Sequence, residues 1–400
     1  MGIKGNYNHT LYASYIGYVV QAITNNFTPL LFLTFQDTYS IPLGTITLLI
    51  TANFCTHLAV YLAFMRHAEK IGYRRLIVFS HLCAAAGLAG LAVLPGLFPD
   101  PYAGLACSTF LFAMGGGLNG MLLTPIAAAC PFGKDTGRIS LLHSFYCWGH
   151  VFVILASTLF FVLFGIGNWK ILALLWALAP LANAVYFTRV PIGKIVKEDE
   201  RIPVRKLFSF RLFWLFVLLM VCAGAAEQAM SQWVSAFTES SLRVSKTLGD
   251  IAGTCMFAVG MGVPRVIYGR YGGKMDLRKC MIGGAVLCIL CYLAAAFSPY
   301  PVLALVSCVL CGFSVGIFWP GTFSLASGEF IKSGTAVFAC MAFAGDIGCS
   351  LGPAVVGAVT RQAGNGFRAG MSAAVVFPAA LIVSLILYQL HLRNKNKIRS

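Results

Sequence analysis

Residues 212–237 form one apolar run, and Gly224-Ala225-Ala226-Glu227-Gln228-Ala229-Met230-Ser231-Gln232-Trp233 stands inside it. A helix needs about 20 consecutive apolar residues to cross a bilayer, and this run supplies them. Its interior holds a carboxylate and two amides. Such groups are costly in hydrocarbon, so they must face protein or water. The stretch therefore marks a membrane protein. Glu227 to Trp233 is also the first place to look for contacts with a transported solute or its coupling ion.

The rest of the chain agrees. Of 400 residues, 58% are hydrophobic and 10% charged, and the mean hydropathy is +0.81. Soluble domains carry about 25% charged residues. The net charge of +16 comes from 29 basic and 13 acidic residues. The basic ones sit between apolar runs and not in one patch, which is a topology signal and not a nucleic-acid surface. The 14 cysteines fall almost entirely inside apolar runs. Cys288-x-x-Cys291 and Cys308-x-x-Cys311 have half-zinc-site spacing, but no polar ligand loop accompanies them, so they read as packing residues of two spanning helices. No metal, cofactor or structural disulfide is expected. The first apolar stretch is too long for a signal-peptide core and reads as a retained helix. Gly115-Gly116-Gly117 is no phosphate loop, because no Lys-Ser or Lys-Thr follows at the right spacing and no strand precedes it. No nucleophile–base pair stands out, so an enzyme is not expected.

Twelve spanning helices are predicted, near 11–36, 44–65, 75–96, 101–125, 138–165, 168–188, 211–237, 247–268, 279–298, 301–327, 333–360 and 367–391. With both termini cytoplasmic, the basic residues, Arg265 among them, fall on the inner side. Only Lys170, Arg243, Lys246, Arg361 and Arg368 are left outside, and this bias sets the orientation. A polar linker, 189–210, joins residues 1–188 to residues 211–400. The two halves echo each other. Gly115-Gly116-Gly117 leads to Pro125 as Gly312 and Gly316 lead to Pro320. Gly149-His150 and Gly345-Asp346 occupy similar places in the two fifth helices. Parallel six-helix repeats of this kind are a transporter plan.

These residues resemble the major facilitator superfamily. Its loop motif reads G-x-x-x-D-R-x-G-R-R. Glu69, Lys70, Gly72 and Arg74 stand at its acid, first arginine, second glycine and last arginine, with Met65 and Tyr73 as departures. Within the superfamily the chain is similar to the fucose-permease-like branch of sugar–proton symporters. The similarity runs over Arg138 to Gly149, Glu227 to Trp233 and Gly348 to Pro353. The resemblance implies an all-α membrane protein of twelve transmembrane helices in two pseudo-symmetric six-helix bundles, with helices one, four, seven and ten lining a cavity. That branch couples through acids on helices one and four. Here helix one has Asn25 and Asn26, and helix four has Asn119.

All but two of the 13 acids lie in predicted loops or helix ends. The exceptions are Glu227 and Asp346, each near the middle of its helix. A carboxyl at that depth can exchange a proton near neutral pH unless a cation holds it ionised. His143, Tyr146 and His150 share one face of helix five, and an imidazole there could relay a proton or simply pack. Asn53, His57 and Tyr61 form a stripe that reads as packing. Gln21 and Asn25 on helix one, Asn119 on helix four, Gln228, Gln232 and Trp233 on helix seven and Trp319 on helix ten would suit a hydroxylated ligand: amides bond hydroxyls, and rings cover an apolar sugar face. The same amides can instead join helices.

The expected function is therefore secondary active transport of a sugar or similar small polar solute across a bacterial cytoplasmic membrane. It would run by alternating access in a monomer surrounded by lipid, with a proton or sodium ion coupled through Glu227, Asp346 or His150. Substrate contacts are expected from Gln21, Asn25, Asn119, Glu227, Gln228, Gln232, Trp233 and Trp319. The alternative is an exporter of amphipathic or drug-like compounds on the same fold.

Overall fold

The computed structural model describes residues 5–132, 136–193, 204–242, 253, 255–298, 300–363 and 367–397. The charged part of the linker, Lys197 to Arg201, lies outside them, as does the start of the predicted eighth helix. Among the described residues there are helices and no strands. The first half contains α1 (Tyr7–Leu30), α2 (Phe32–Tyr39), α3 (Leu43–Phe64), α4 (Ala68–Ile71), α5 (Tyr73–Val93), α6 (Pro101–Ala128), α7 (Thr136–Phe164) and α8 (Trp169–Arg189). After α9 (Val204–Leu207) come α10 (Arg211–Leu242), α11 (Met256–Tyr271), α12 (Leu277–Phe297), α13 (Pro301–Val315), α14 (Phe318–Phe330), α15 (Thr335–Gln362), α16 (Phe367–Ala373) and α17 (Val376–Lys397). Among the described residues nine helices are long and apolar enough to cross a membrane, and Leu48–Phe64 is a shorter apolar helix. With α1 and α11 the count reaches twelve, so the chain has the predicted all-α membrane architecture.

Three predicted spans are interrupted. The first ends at Leu30, one residue past Pro29, and resumes as α2. The tenth breaks after Val315 and restarts at Phe318 as α14. The last is split between α16 and α17. Prolines explain the last two: Pro320 lies four residues after Gly316 and Pro378 four residues after Ala374. A proline has no N–H to give the carbonyl four residues before it, and its ring crowds that turn.

Two compact units can be distinguished. Unit 1 comprises Met1–Lys134, Phe145–Glu200 and Gly334–Ala339, and unit 2 comprises Asp135–Ser144, Arg201–Ser333 and Cys340–Ser400. In unit 1, α5 packs on α6 and α8, and α6 also meets α1 and α3. Glycines make the α5–α6 approach possible: a Cβ on Gly87 would strike the Phe112 backbone, and one on Gly115 the Ser80 carbonyl. Phe27, Leu91, Leu105, Phe112, Trp169 and Trp176 fill the core beside this seam. The loop-motif residues have visible jobs. Gly72 turns the chain at φ +98°, where a side chain would be strained. Arg74 donates to the carbonyls of Phe187, Thr188 and Val190 at 2.7–2.8 Å, closing the C-terminal end of α8.

In unit 2, α13 packs on α11 and α12, and α10 on α17. Asp100 and Asp276 cap α6 and α12, each accepting at 2.9 Å from the backbone N–H two residues on. The outer faces stay apolar: Phe152, Leu159 and Leu163 of α7 and Leu174 and Leu178 of α8 are exposed. Such surfaces belong against lipid. All 14 cysteines are free thiols.

Candidate functional site

A buried ion pair lies in unit 2. Glu227 sits midway along α10, and Arg265 lies on α11. Arg265 Nη2 stands 3.3 Å from Glu227 Oε2, with side-chain exposures of 3% and 12%. Two main-chain carbonyls complete the arginine's surroundings. Its Nε donates to Gly316 at 2.7 Å and its Nη1 to His143 at 3.0 Å. In return, Ser140 Oγ donates to the Arg265 carbonyl at 3.0 Å. The Gly316 bond follows from the sequence. In a continuous helix the Gly316 carbonyl would accept from residue 320, but Pro320 has no N–H. The orphaned oxygen sits at the C-terminal end of α13, where a cation is also favoured by the helix dipole.

The sequence reading counts Arg265 among the inner-side basic residues at the end of helix 247–268; the structure adds that it is 2% exposed inside α11. Arg265 supplies the buried Glu227 with a counter-charge. Two signals could have found it: a proline four residues after a glycine in a spanning helix, and a buried acid lacking a counter-charge.

The neighbouring helices hold the pair in position. Tyr292 Oη of α12 donates to the Ala226 carbonyl at 2.8 Å, fixing α10 next to Glu227. α10 and α15 meet through glycine: a Cβ on Gly224 would strike the Gly345 carbonyl, one on Gly348 the Val221 carbonyl, and one on Gly352 the Ala225 carbonyl. The run Gly348 to Pro353 is thus explained by helix packing. Asp346, on α15, is 8% exposed. Cys349, one turn later, is within electrostatic reach of both Asp346 and Glu227.

The remaining predicted site residues divide between the units. In unit 2, Gln228 is half-buried and Gln232 exposed. The Trp233 indole donates to the Pro353 carbonyl at 3.0 Å, and its ring lies on Gly357. The Trp319 ring covers Gly345. Both tryptophans brace α15, which leaves only the remaining ring surface for a ligand. In unit 1, Asn119 is fully buried. Its Oδ1 accepts from Ser80 at 2.6 Å, while its Nδ2 has no partner. Gln21 Oε1 and Asn25 Oδ1 are likewise buried, and none of the three atoms has a partner among the described residues. A buried, unpaired amide atom costs about 1–3 kcal/mol. His150 is 8% exposed, its ring 6.4 Å from that of Tyr146. His143 packs on Phe323, ring centroids 5.4 Å apart. Among the described residues no group of three or more His, Cys, Asp or Glu side chains could hold a metal.

The fold recurs in solved transporters. The structure of FucP, a transporter in the outward conformation, aligns with a TM-score of 0.78 at 16% identity, covering 94% of this chain and 98% of that one. The proton:xylose symporter XylE gives 0.77 at 11% identity, covering 95% and 94%. The human organic anion transporter MFSD10 gives 0.71 at 14% identity, covering 96% and 100%. No curated protein sequence matches the chain. The family model for the Major Facilitator Superfamily matches residues 14–353 and again residues 240–396. The chain is a multi-pass integral membrane protein and a transporter, not an enzyme, and it belongs to the Major Facilitator Superfamily.

Proposed function

We propose that the protein moves a small polar solute, a sugar or sugar-like compound, by alternating access of two six-helix bundles, residues 1–188 and 211–400, joined by the linker at 189–210. The observation that carries this reading is the set of buried, unpaired amide atoms on Gln21, Asn25 and Asn119. Neutral donors and acceptors in an apolar bundle suit hydroxyl groups better than they suit a greasy drug. The proton:xylose symporter XylE and the E. coli fucose:proton symporter FucP, which share this fold, lend support.

Coupling is assigned to Glu227 and Asp346, the acids at membrane depth, with His150 as a relay. The ion is a proton or sodium. Gln228, Gln232, Trp233 and Trp319 are assigned to solute contact in unit 2. The protein is placed as a monomer in a bacterial cytoplasmic membrane with both termini inside.

The test starts with a thermal-shift screen of neutral and acidic sugars on the purified protein, since a ligand of the folded state raises its apparent Tm. The selected solute is then followed in proteoliposomes. Glu227→Gln and Asp346→Asn are expected to abolish gradient-driven accumulation and to leave solute exchange running. Normal accumulation by both variants would refute the coupling assignment. Unchanged drug susceptibility of cells with and without the gene would set aside the exporter alternative.

A further inference from the structure

We propose that Arg265 is an anchor for a carboxylate on the transported solute, which takes the place of Glu227 on the guanidinium when Glu227 accepts the coupling proton. The inference rests on the transport reading above and narrows its substrate class to an acidic sugar or comparable hydroxylated carboxylate.

The argument starts from charge. An arginine does not shed its proton in a protein, so Arg265, 2% exposed, is a permanent buried cation. Glu227 is its ion-pair partner, at 3.3 Å. If Glu227 is to carry a proton across the membrane, the guanidinium loses its counter-charge at that step. An uncompensated buried charge costs several kcal/mol. A neutral sugar cannot supply what is lost, whereas a carboxylate can. In the proposed step one proton binds Glu227, the Glu227–Arg265 contact opens, and the solute carboxylate closes onto Arg265. The pair is neutral before the step. Protonated Glu227, Arg265 and the bound carboxylate are neutral together after it.

The geometry suits this exchange. The Gly316 and His143 carbonyls hold two edges of the guanidinium without help from Glu227. When the acid leaves, the cation stays aimed, and a pre-oriented arginine fork binds a carboxylate strongly. Glu227 is the more exposed member of the pair, 12% against 3%, so the anion would arrive from the glutamate's side.

The other titratable groups packed around the pair are these. His143 on α7 offers Arg265 its carbonyl, and its imidazole is within electrostatic reach of the guanidinium. Tyr292 on α12 has its hydroxyl on Ala226. Cys349 on α15 is a buried thiol. Asp346 on α15 is, among the described residues, the other carboxylate within electrostatic reach of the same Cys349. It is the internal rival for the guanidinium, and the test must separate it from the solute.

The experiment is calorimetric titration of the purified full-length protein with D-glucuronate, D-galacturonate and D-gluconate, against D-glucose and D-galactose. Each is run in two buffers of different ionisation heat, so that proton uptake is read directly. At least one acid is expected to bind about 10-fold or more tighter than the neutral sugars, with uptake of one proton. Glu227→Gln is expected to bind that acid as well or better, with no proton uptake, a result that a purely structural glutamate would not produce. Arg265→Gln combined with Glu227→Gln removes both charges together, which avoids stranding either one, and is expected to weaken the acid by about 100-fold.

Tighter binding of a neutral sugar than of any acid overturns this inference and leaves the transport reading standing. Retention of the acid by the double variant also overturns it. Proton uptake lost in Asp346→Asn but kept in Glu227→Gln hands the exchange to Asp346 and overturns it too. Binding of none of the five solutes, with no counterflow of any of them in proteoliposomes, overturns both readings.

Discussion

Arg265 shows how one side chain can tie several elements together. It joins α11 to α10 through Glu227, to the end of α13 through Gly316, and to α7 through His143. A buried pair of this sort need not add net stability over apolar residues, but breaking it from one side is expensive. Arg265→Met should therefore cost about 3–5 kcal/mol by leaving Glu227 unpaired, while Arg265→Met with Glu227→Met should recover most of that loss. A double-mutant cycle of unfolding in detergent measures it. A loss in the double variant equal to the sum of the Arg265→Met and Glu227→Met losses would show that the pair is not coupled. At this scale the two acids were legible in the sequence, because Glu227 and Asp346 interrupt long apolar runs. Arg265 was not. It falls inside the predicted helix 247–268, but near its end and just before Arg270 and Lys274, so it is counted with the basic residues of the inner side. Its real environment depends on a carbonyl that Pro320, more than 50 residues later, leaves without a donor.

At the scale of elements, glycine decides where helices can approach. Gly348 of α15 has no room for a side chain against the Val221 carbonyl, whereas Gly283 of α12 meets nothing within 4 Å. Gly348→Leu should push α15 from α10, lower stability by about 1–3 kcal/mol and disturb the positions of Glu227 and Asp346. Gly283→Ala should stabilise α12 slightly, by about 0.5–1 kcal/mol. Apparent Tm in detergent checks both, and the same sign of shift in the two variants would contradict the packing account. Helix caps make a second prediction. Some burial pushes the Asp276 carboxyl up, but the side-chain hydrogen bond from Arg278, the backbone bonds from Lys279 and Arg278 and the Arg278 charge outweigh it and hold the group below its usual range. A carboxyl lowered on folding stabilises the fold above its unfolded pKa of about 3.9 and loses that contribution as pH falls through the folded value. Asp276→Ala should cost about 0.5–2 kcal/mol at neutral pH, and the difference from wild type should shrink below pH about 4.

At the scale of the whole molecule, the membrane class and the twelve helices were legible from run length, punctuation and charge placement. The breaks were not. The run 301–327 gives no hydropathy sign that it divides between Val315 and Phe318, because the division comes from Pro320 and the packing of Gly312 and Gly316 on α11. That break also exposes the carbonyl on which Arg265 rests, so the feature hidden from the hydropathy pattern is the one that organises the pair. The amides of unit 1 and the ion pair of unit 2 are separate chemistries, neutral and charged.

The central claim is that solute movement is coupled to an ion through Glu227. It is tested most directly in proteoliposomes that contain a pH-sensitive dye, with the solute chosen by thermal shift from the neutral and acidic sugars named above. Adding that solute outside should acidify the interior in wild type. Glu227→Gln should exchange labelled solute across the membrane with no acidification. Equal acidification by the variant would contradict the account.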